Sequence, residues 1–148
     1  MDTAQILTAL DRFARQRPGL EYGNYGDATA YRSEMRRITR QLADARTLLR
    51  AVEHSGITAD QLREAFRAYS GRLAITETDK GIRLDYCTGQ YWPTEYRAAV
   101  CAVLASALWD YYRDDFAASA KPGESAGDAV RRQFRREFGR GIANRWFN

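Results

Sequence analysis

Few side chains in this sequence are of the types that usually carry out catalysis. His54 is the sole histidine, and it ends a predicted helix beside Gly56, where an imidazolium complements the negative helix terminus. A Ser-His or Cys-His nucleophile would have to use this residue. No Gly-rich run ends in Gly-Lys-Ser/Thr, which excludes a P-loop. The adjacent carboxylates Asp114 and Asp115 point in different directions on a helix. We therefore predict a protein that is not an enzyme.

Metal-ligating residues are equally scarce. Cys87 and Cys101 lie 14 positions apart and form no Cys-x-x-Cys pair. A structural zinc ion normally needs four Cys or His ligands, and only His54 is available as a third. We predict no metal ion and no cofactor, with both thiols reduced in a cytoplasmic setting.

Arginine is the chemically notable residue, because 21 of the 23 basic side chains are arginine. Its planar fork suits phosphate and carboxylate groups. Five arginines of the second predicted helix recur on one side at 100° per residue, about a third of a turn from its apolar stripe. This side is either a binding ridge or a solvated face. The five residues are Arg32, Arg36, Arg40, Arg46 and Arg50.

The C-terminal part of the chain is basic and amphipathic. It carries Arg131, Arg132, Arg135 and Arg136 around an apolar face made by Val130, Phe134 and Phe138. Such a helix binds nucleic acid, an acidic membrane surface or a partner protein. Alternatively, its aromatic face docks on the domain and leaves the arginines outside. The docking residues would then be Phe134, Phe138, Ile142 and Trp146.

Two predicted loops combine aromatic residues with turn-forming ones. The first contains Tyr22 and Tyr25, and the second contains Tyr91 and Trp92. Tyr and Trp are favoured in binding interfaces, so these loops either recognise a partner or cover the core. A small-ligand pocket between the loops is a variant of the same prediction.

Helical periodicity accounts for most of the chain. Helices are predicted over about 3–16, 30–54, 59–70, 95–116 and 126–138. The first four are capped by Asp2 or Thr3, by Asp27 or Thr29, by Thr58 and by Thr94. The apolar side of the second helix consists of Tyr31, Met35, Ile38, Leu42, Leu49 and Val52. The helix over 95–116 is apolar nearly all round, which is typical of a central position.

The period changes to two over residues 72–87, which predicts an antiparallel β-hairpin turning at Asp79-Lys80-Gly81. A two-stranded hairpin is marginal by itself and should lie against the central helix. Its open edges are either covered or pair with another chain, so a homodimer is one alternative. The fold class is therefore α+β, mostly helical, with about five helices and one hairpin.

The 148 residues fit one globular domain at 1–116, a linker at 117–127 and a basic C-terminal helix and tail at 128–148. The net charge of +4 lies in the last 28 residues, while the rest is balanced. No apolar stretch is long enough to cross a bilayer, and the N-terminus is not a secretory signal.

Three segments resemble small accessory proteins of bacterial phages and mobile elements. They are Glu-Tyr-Gly-Asn-Tyr-Gly-Asp, Asp-Tyr-Cys-Thr-Gly-Gln-Tyr-Trp-Pro-Thr-Glu-Tyr and Phe-Arg-Arg-Glu-Phe-Gly-Arg. The resemblance transfers no functional residue. It implies a class of tasks: binding host proteins, blocking defence systems or regulating the element's own DNA.

Three functions are compatible with these features. The leading hypothesis is a non-enzymatic interaction protein that binds a host protein or complex, for example an anti-CRISPR-like inhibitor of a defence complex. The second is a nucleic-acid-binding protein that uses the arginines of helix 2 and the tail. The third is a small enzyme or nucleotide-sequestering protein with a pocket at Tyr25, Asp85, Tyr91 and Glu95.

Overall fold

A computed structural model describes residues 1–16, 28–69, 73–86 and 93–148. Side chains are not described for Tyr86 and 93–95. The elements are α1 (Thr3–Ala14), α2 (Ala28–His54), α3 (Ala59–Ala68), β1 (Leu73–Thr78), β2 (Gly81–Tyr86), α4 (Pro93–Ala117) and α5 (Ala126–Trp146). The predicted α+β class, with five helices and one hairpin, is confirmed. Within these residues no helix is both long and apolar enough to cross a membrane.

Helix starts follow local capping chemistry. Asp2 caps α1 by accepting from the Gln5 amide, and Thr58 caps α3 by accepting from the Gln61 amide; both are capping boxes. Ser125 caps α5 by accepting from the Asp128 amide at 3.1 Å. Of the two predicted caps of α2, Thr29 is wrong because the helix begins at Ala28, and Asp27 lies outside the described residues. The predicted cap Thr94 is wrong because α4 begins at Pro93.

Helix α4 is the centre of the molecule, as its all-round apolar sequence predicts. It packs against α2, α3, α5 and α1. Val100, Val103, Leu104 and Leu108 are completely buried in one core with residues from the surrounding helices and from β1. Because residues 98–109 of α4 include no exposed residue, this part of the helix needs no polar stripe.

The buried face of α2 is rotated from the predicted one. Ile38, Leu49 and Val52 are buried as expected, but Met35 is 37% exposed. The buried face instead includes Gln41, Asp44, Ala45 and Leu48. At 100° per residue this face is about half a turn, rather than a third, from the five predicted ridge arginines.

The hairpin is antiparallel and pairs Thr78 with Gly81 across a two-residue turn at Asp79 and Lys80. Gly81 has a φ of 117°, which a residue with a Cβ rarely adopts. Among the described residues, β2 lies beside α1 and β1 beside α3. The hairpin is thus supported by the helices that surround α4 as well as by the shared core, into which Leu73 is inserted.

Helix α5 continues beyond the predicted end at Phe138. Gly139 has φ 83° and ψ 161° and forms a kink, after which a second helical segment reaches Trp146. Phe134 is completely buried, and its ring stacks on Trp109 at 5.3 Å and on Phe147 at 4.2 Å between ring centroids. The predicted docking of the aromatic tail face is what the structure has, with Phe147 as an additional anchor.

Candidate binding surface

The five predicted arginines of α2 form one exposed ridge. All five residues are exposed, and none belongs to the buried face of the helix. An α-helix rises about 1.5 Å per residue, so the ridge from Arg32 to Arg50 is about 27 Å long. We refer to Arg32, Arg36, Arg40, Arg46 and Arg50 as the α2 ridge.

The ridge guanidinium groups make no ion pair within the described parts of the chain, whereas most arginines of the other helices and the hairpin do. Arg15 pairs with Asp11 at 3.0 Å, Arg83 with Asp85 at 2.9 Å, and Arg67 with Glu64 on α3. Intramolecular pairing leaves less of an arginine's donor capacity for an external anion. The α2 ridge therefore retains free donors.

The two halves of the α2 ridge have different surroundings. Arg46 and Arg50 border a groove of about 470 Å³ between α1 and α2, together with Leu49 and the carboxylates of Asp11 and Glu53. This half is a mixed surface with apolar and both kinds of charged groups.

The N-terminal half is more strongly cationic. Residues 32–40 contain Arg32, Arg36, Arg37 and Arg40 against Glu34 alone. No residue of α2 before Ile38 is buried. Residues 32–40, within the first three to four turns of α2, thus expose four positive charges in nine residues.

The predicted tail arginines are divided between structural and free roles. Arg132 forms a two-pronged ion pair with Glu124 at 3.0 Å and also donates to the Ser119 carbonyl at 3.0 Å. The hydrogen bond lowers the pKa of Glu124 and raises the pKa of Arg132. Arg131 pairs with Asp128 at 3.4 Å. Arg132 in particular fixes the connection between α4 and α5.

Arg135 and Arg136 are exposed and make no ion pair with any described residue. They are the only two of the four predicted tail arginines that the structure leaves available for an external anion.

A buried carboxylate on α2, which was not among the predicted site residues, holds the C-terminal end of the chain. The Asp44 side chain is 5% exposed. It accepts from Arg145 Nε at 2.7 Å, Arg145 Nη2 at 2.8 Å and Trp146 Nε1 at 2.9 Å. The hydrogen bond from Arg145 to Asp44 raises the pKa of Arg145. These three residues, the Asp44 staple, attach the end of α5 to α2.

Cys101 on α4 lies near this staple and is completely buried. Its thiol donates to the Gln41 carbonyl at 3.5 Å. Burial raises the pKa of Cys101, and the negative charge of Asp44 raises it further. Because a thiolate is the reactive form, this cysteine is unsuited to nucleophilic chemistry.

Other potentially reactive groups do not converge within the described residues. His54 is exposed at the end of α2, on a groove that also contains Tyr112 and Glu137. Burial raises the pKa of Tyr112, and the charges of Tyr111 and Glu137 act in the same direction. No group of three His, Cys, Asp or Glu side chains able to hold a metal ion occurs in the described parts.

The structure does not describe the two predicted recognition loops. Tyr22, Tyr25, Tyr91 and Trp92 all lie outside the described residues, as does Cys87. Of the predicted pocket residues, only the Asp85 side chain is described, and its carboxylate accepts from Arg83 Nε. The roles proposed for the loops stay predictions.

Comparison with protein-family models, with curated proteins and with solved structures finds no match to this chain.

Proposed function

We propose that this protein is a non-enzymatic binding protein that attaches through the α2 ridge to an acidic surface of a host protein or complex. The observation that carries the proposal is the contrast between the ridge, whose guanidinium groups have no ion pair in the described residues, and the paired arginines elsewhere. Free arginines give electrostatic complementarity and directional hydrogen bonds to carboxylates.

The surroundings of Arg46 and Arg50 favour a protein partner over a nucleic acid. Arg15 lines the same groove and pairs with Asp11, so three arginines stand against the carboxylates of Asp11 and Glu53 and the groove attracts a phosphate backbone only weakly. Leu49 adds apolar area beside the charges, and arginine beside apolar surface is common at protein interfaces. Arg50 and Glu53 can therefore contribute opposite charges to one mixed interface.

The biological task follows from the resemblance to phage and mobile-element accessory proteins. We propose that the protein acts in the cytoplasm of a bacterial host and occupies the surface of a host complex, with inhibition of a defence complex of the CRISPR type as the leading example. Occupying a surface requires no reactive group, in keeping with a site composed of arginines.

Nucleic-acid binding is the second candidate, and the N-terminal half of the ridge favours it. Arg32, Arg36 and Arg40 would line up with phosphates along one strand, and Arg37 lies beside them. Each phosphate contact releases condensed counterions, so an interface of about four contacts predicts a log–log salt slope of about −3.6 on duplex DNA. A protein interface of mixed charge predicts a much shallower slope.

The test is an affinity pull-down from host lysate with the tagged full-length protein as bait. It is done with and without nuclease, and the bound material is identified by mass spectrometry. Two ridge variants are compared, Arg36→Glu with Arg40→Glu, and Arg46→Glu with Arg50→Glu. The control is Arg140→Glu, another exposed arginine without an ion pair in the described residues. We expect a stoichiometric protein partner that survives nuclease and is lost in the Arg46/Arg50 variant, because like charges across an interface cost several kcal/mol.

Loss of all captured material on nuclease treatment, with the Arg36/Arg40 variant affected most, would replace the protein partner by nucleic acid. Capture that is equal for both ridge variants and the Arg140→Glu control would exclude the ridge as the binding surface.

A further inference from the structure

A second cleft lies away from the α2 ridge, on another side of α1. It has a volume of about 600 Å³ and separates α1 from β2. Arg12 and Phe13 contribute the helix wall, and Lys80, Ile82, Arg83 and Leu84 contribute the hairpin wall. A smaller depression of about 370 Å³ continues past Arg12 and Lys80 toward the start of α1. Together they form a continuous groove along the strand.

The strand wall of this cleft is the outer edge of β2. Consecutive strand residues point to opposite faces, so Ile82 and Leu84 share one face and Arg83 has the other. All three line the cleft, so the cleft must wrap around the edge of the strand. Since the sheet has only two strands in the described residues, this edge carries no third strand there.

The hairpin register shows which backbone groups this edge presents. Thr78 and Gly81 flank the two-residue turn and form a hydrogen-bonded pair. Hydrogen-bonded and non-hydrogen-bonded pairs alternate along an antiparallel ladder. Ile82, opposite Glu77, and Leu84, opposite Ile75, are therefore in non-hydrogen-bonded pairs. Their N–H and C=O groups point away from β1 and toward the cleft.

The side chains around the edge combine an apolar floor with a charged rim on which cations outnumber carboxylates. Arg12, Lys80 and Arg83 line the cleft against Asp79, and Asp2 lines the smaller depression. Phe13 is 6% exposed, and Ile82 and Leu84 are half-buried. Arg12 and Lys80 are exposed and have no ion pair with any described residue. Arg83 is tied to Asp85 at 2.9 Å, which leaves Arg12 and Lys80 as the available cations.

We propose that this cleft binds an extended acidic peptide segment of a partner protein, which pairs with β2 as a third strand. The outward backbone groups of Ile82 and Leu84 supply the ladder, and Arg12 and Lys80 bind carboxylates of the peptide. The six residues of β2 span about 20 Å, enough for a segment of about five or six residues. A nucleic-acid strand has no peptide backbone to complete this ladder. The inference goes beyond the proposed function and does not require the α2 ridge.

The test begins with random linear peptides displayed on phage and selected on full-length protein. We expect selected sequences in which Asp or Glu alternates with β-branched residues. A synthetic selected peptide is then titrated by fluorescence anisotropy. Arg12→Glu combined with Lys80→Glu should weaken its binding at least tenfold, while the ridge variant Arg46→Glu with Arg50→Glu should leave it within about twofold of wild type.

A backbone variant tests strand pairing specifically. Ile82→Pro removes an N–H that points into the cleft and takes no part in the β1–β2 ladder, a position where an edge strand tolerates proline. Ile82→Ala is the matched control, because it loses the side chain but keeps the N–H. We expect peptide binding to be lost in Ile82→Pro and retained, though weakened, in Ile82→Ala. Circular dichroism checks that both variants are folded.

Several results would overturn the proposal. One is a set of selected peptides without acidic enrichment; another is equal binding by the proline and alanine variants. Peptide binding that depends on Arg46 and Arg50 would assign the peptide to the ridge. Competition by an oligonucleotide that depends on Arg12 and Lys80 would assign the cleft to nucleic acid. A dimer in light scattering that Ile82→Pro dissociates would assign the edge to a second copy of the chain.

Discussion

Replacing Arg145 by alanine tests whether the Asp44 staple holds the C-terminal helix in place. The substitution removes two of the three hydrogen bonds to Asp44, at 2.7 and 2.8 Å, and leaves only the one from Trp146. The Asp44 carboxylate, 5% exposed, would then remain buried without its counter-ion. Removing one partner of a buried ion pair costs about 3–5 kcal/mol.

The Arg145 side chain is 32% exposed, so the lower end of this range applies. We expect Arg145→Ala to lower the free energy of unfolding by about 3 kcal/mol. For a chain of this length each kcal/mol lowers the melting temperature by about 2–4 °C, so the expected decrease is about 6–12 °C. Arg145→Lys keeps the positive charge but loses the two-pronged guanidinium geometry, so its stability should lie between those of Arg145→Ala and wild type.

Replacing the other partner, Asp44, should lower the free energy of unfolding by less. Asp44→Ala leaves a guanidinium that can still reach water, and we expect a loss of about 1–2 kcal/mol. The assay is urea unfolding followed by circular dichroism, with Arg140→Ala as an exposed control that should stay within about 0.5 kcal/mol of wild type. The double variant should be less destabilised than the sum of the single variants. An Arg145→Ala protein as stable as the control, or less destabilised than Asp44→Ala, would refute this reasoning.

Two further predictions concern the backbone of α5 and the buried thiol. Gly139→Ala should destabilise the protein by about 2 kcal/mol, because φ 83° with ψ 161° is a conformation almost confined to glycine. No atom lies within 4 Å of the added Cβ, so crowding would not contribute. Gly127→Ala, in an ordinary helical turn, is the matched control and should be neutral or slightly stabilising in thermal unfolding. Equal melting temperatures for the two variants would contradict this. The pKa of Cys101 is raised in the folded protein, so the stability that this thiol contributes is present below its unfolded pKa of about 8.5 and is lost as pH rises above it. Unfolding measured between pH 7 and pH 10 should therefore show a steeper alkaline loss for the parent than for a Cys101→Ala variant; parallel pH profiles would contradict the assignment.

Local signals in the sequence were sufficient for most of the elements. The capping boxes at Asp2 and Thr58 and the turn at Asp79-Lys80 each depend on residues only a few positions apart. The central position of α4 follows from its composition alone. Such features are set by short-range chemistry, which a single sequence displays directly.

The errors arose where distant residues meet. Asp44 looks like a solvated charge on a helix, but its partners are 101 and 102 positions away, and they turn this face of α2 inward. The same contact extends α5 past Gly139, which as a glycine after Phe138 is a reasonable helix end. The sequence signal was the helical spacing of Asp44, three residues after Gln41 and four before Leu48, which places it at the edge of the buried face.

The ridge arginines lie on one exposed side of α2, as predicted from their spacing of four residues, and of six between Arg40 and Arg46, because this spacing is a local pattern. Which tail arginines are free was not predictable, because the pairing of Arg132 with Glu124 depends on how the connection before α5 folds back. Exposure and pairing of charged side chains are therefore the part of the binding surface that required the structure.

The most direct test of the central claim is to quantify the nuclease-resistant partner captured by wild type, by the Arg46→Glu/Arg50→Glu variant and by the Arg140→Glu control. We predict that the ridge variant retains no more than about a tenth of the partner while the control retains it fully, because only the ridge variant places like charges against the acidic surface. Equal recovery by all three proteins, each verified as folded, would contradict the claim that the α2 ridge is the binding surface.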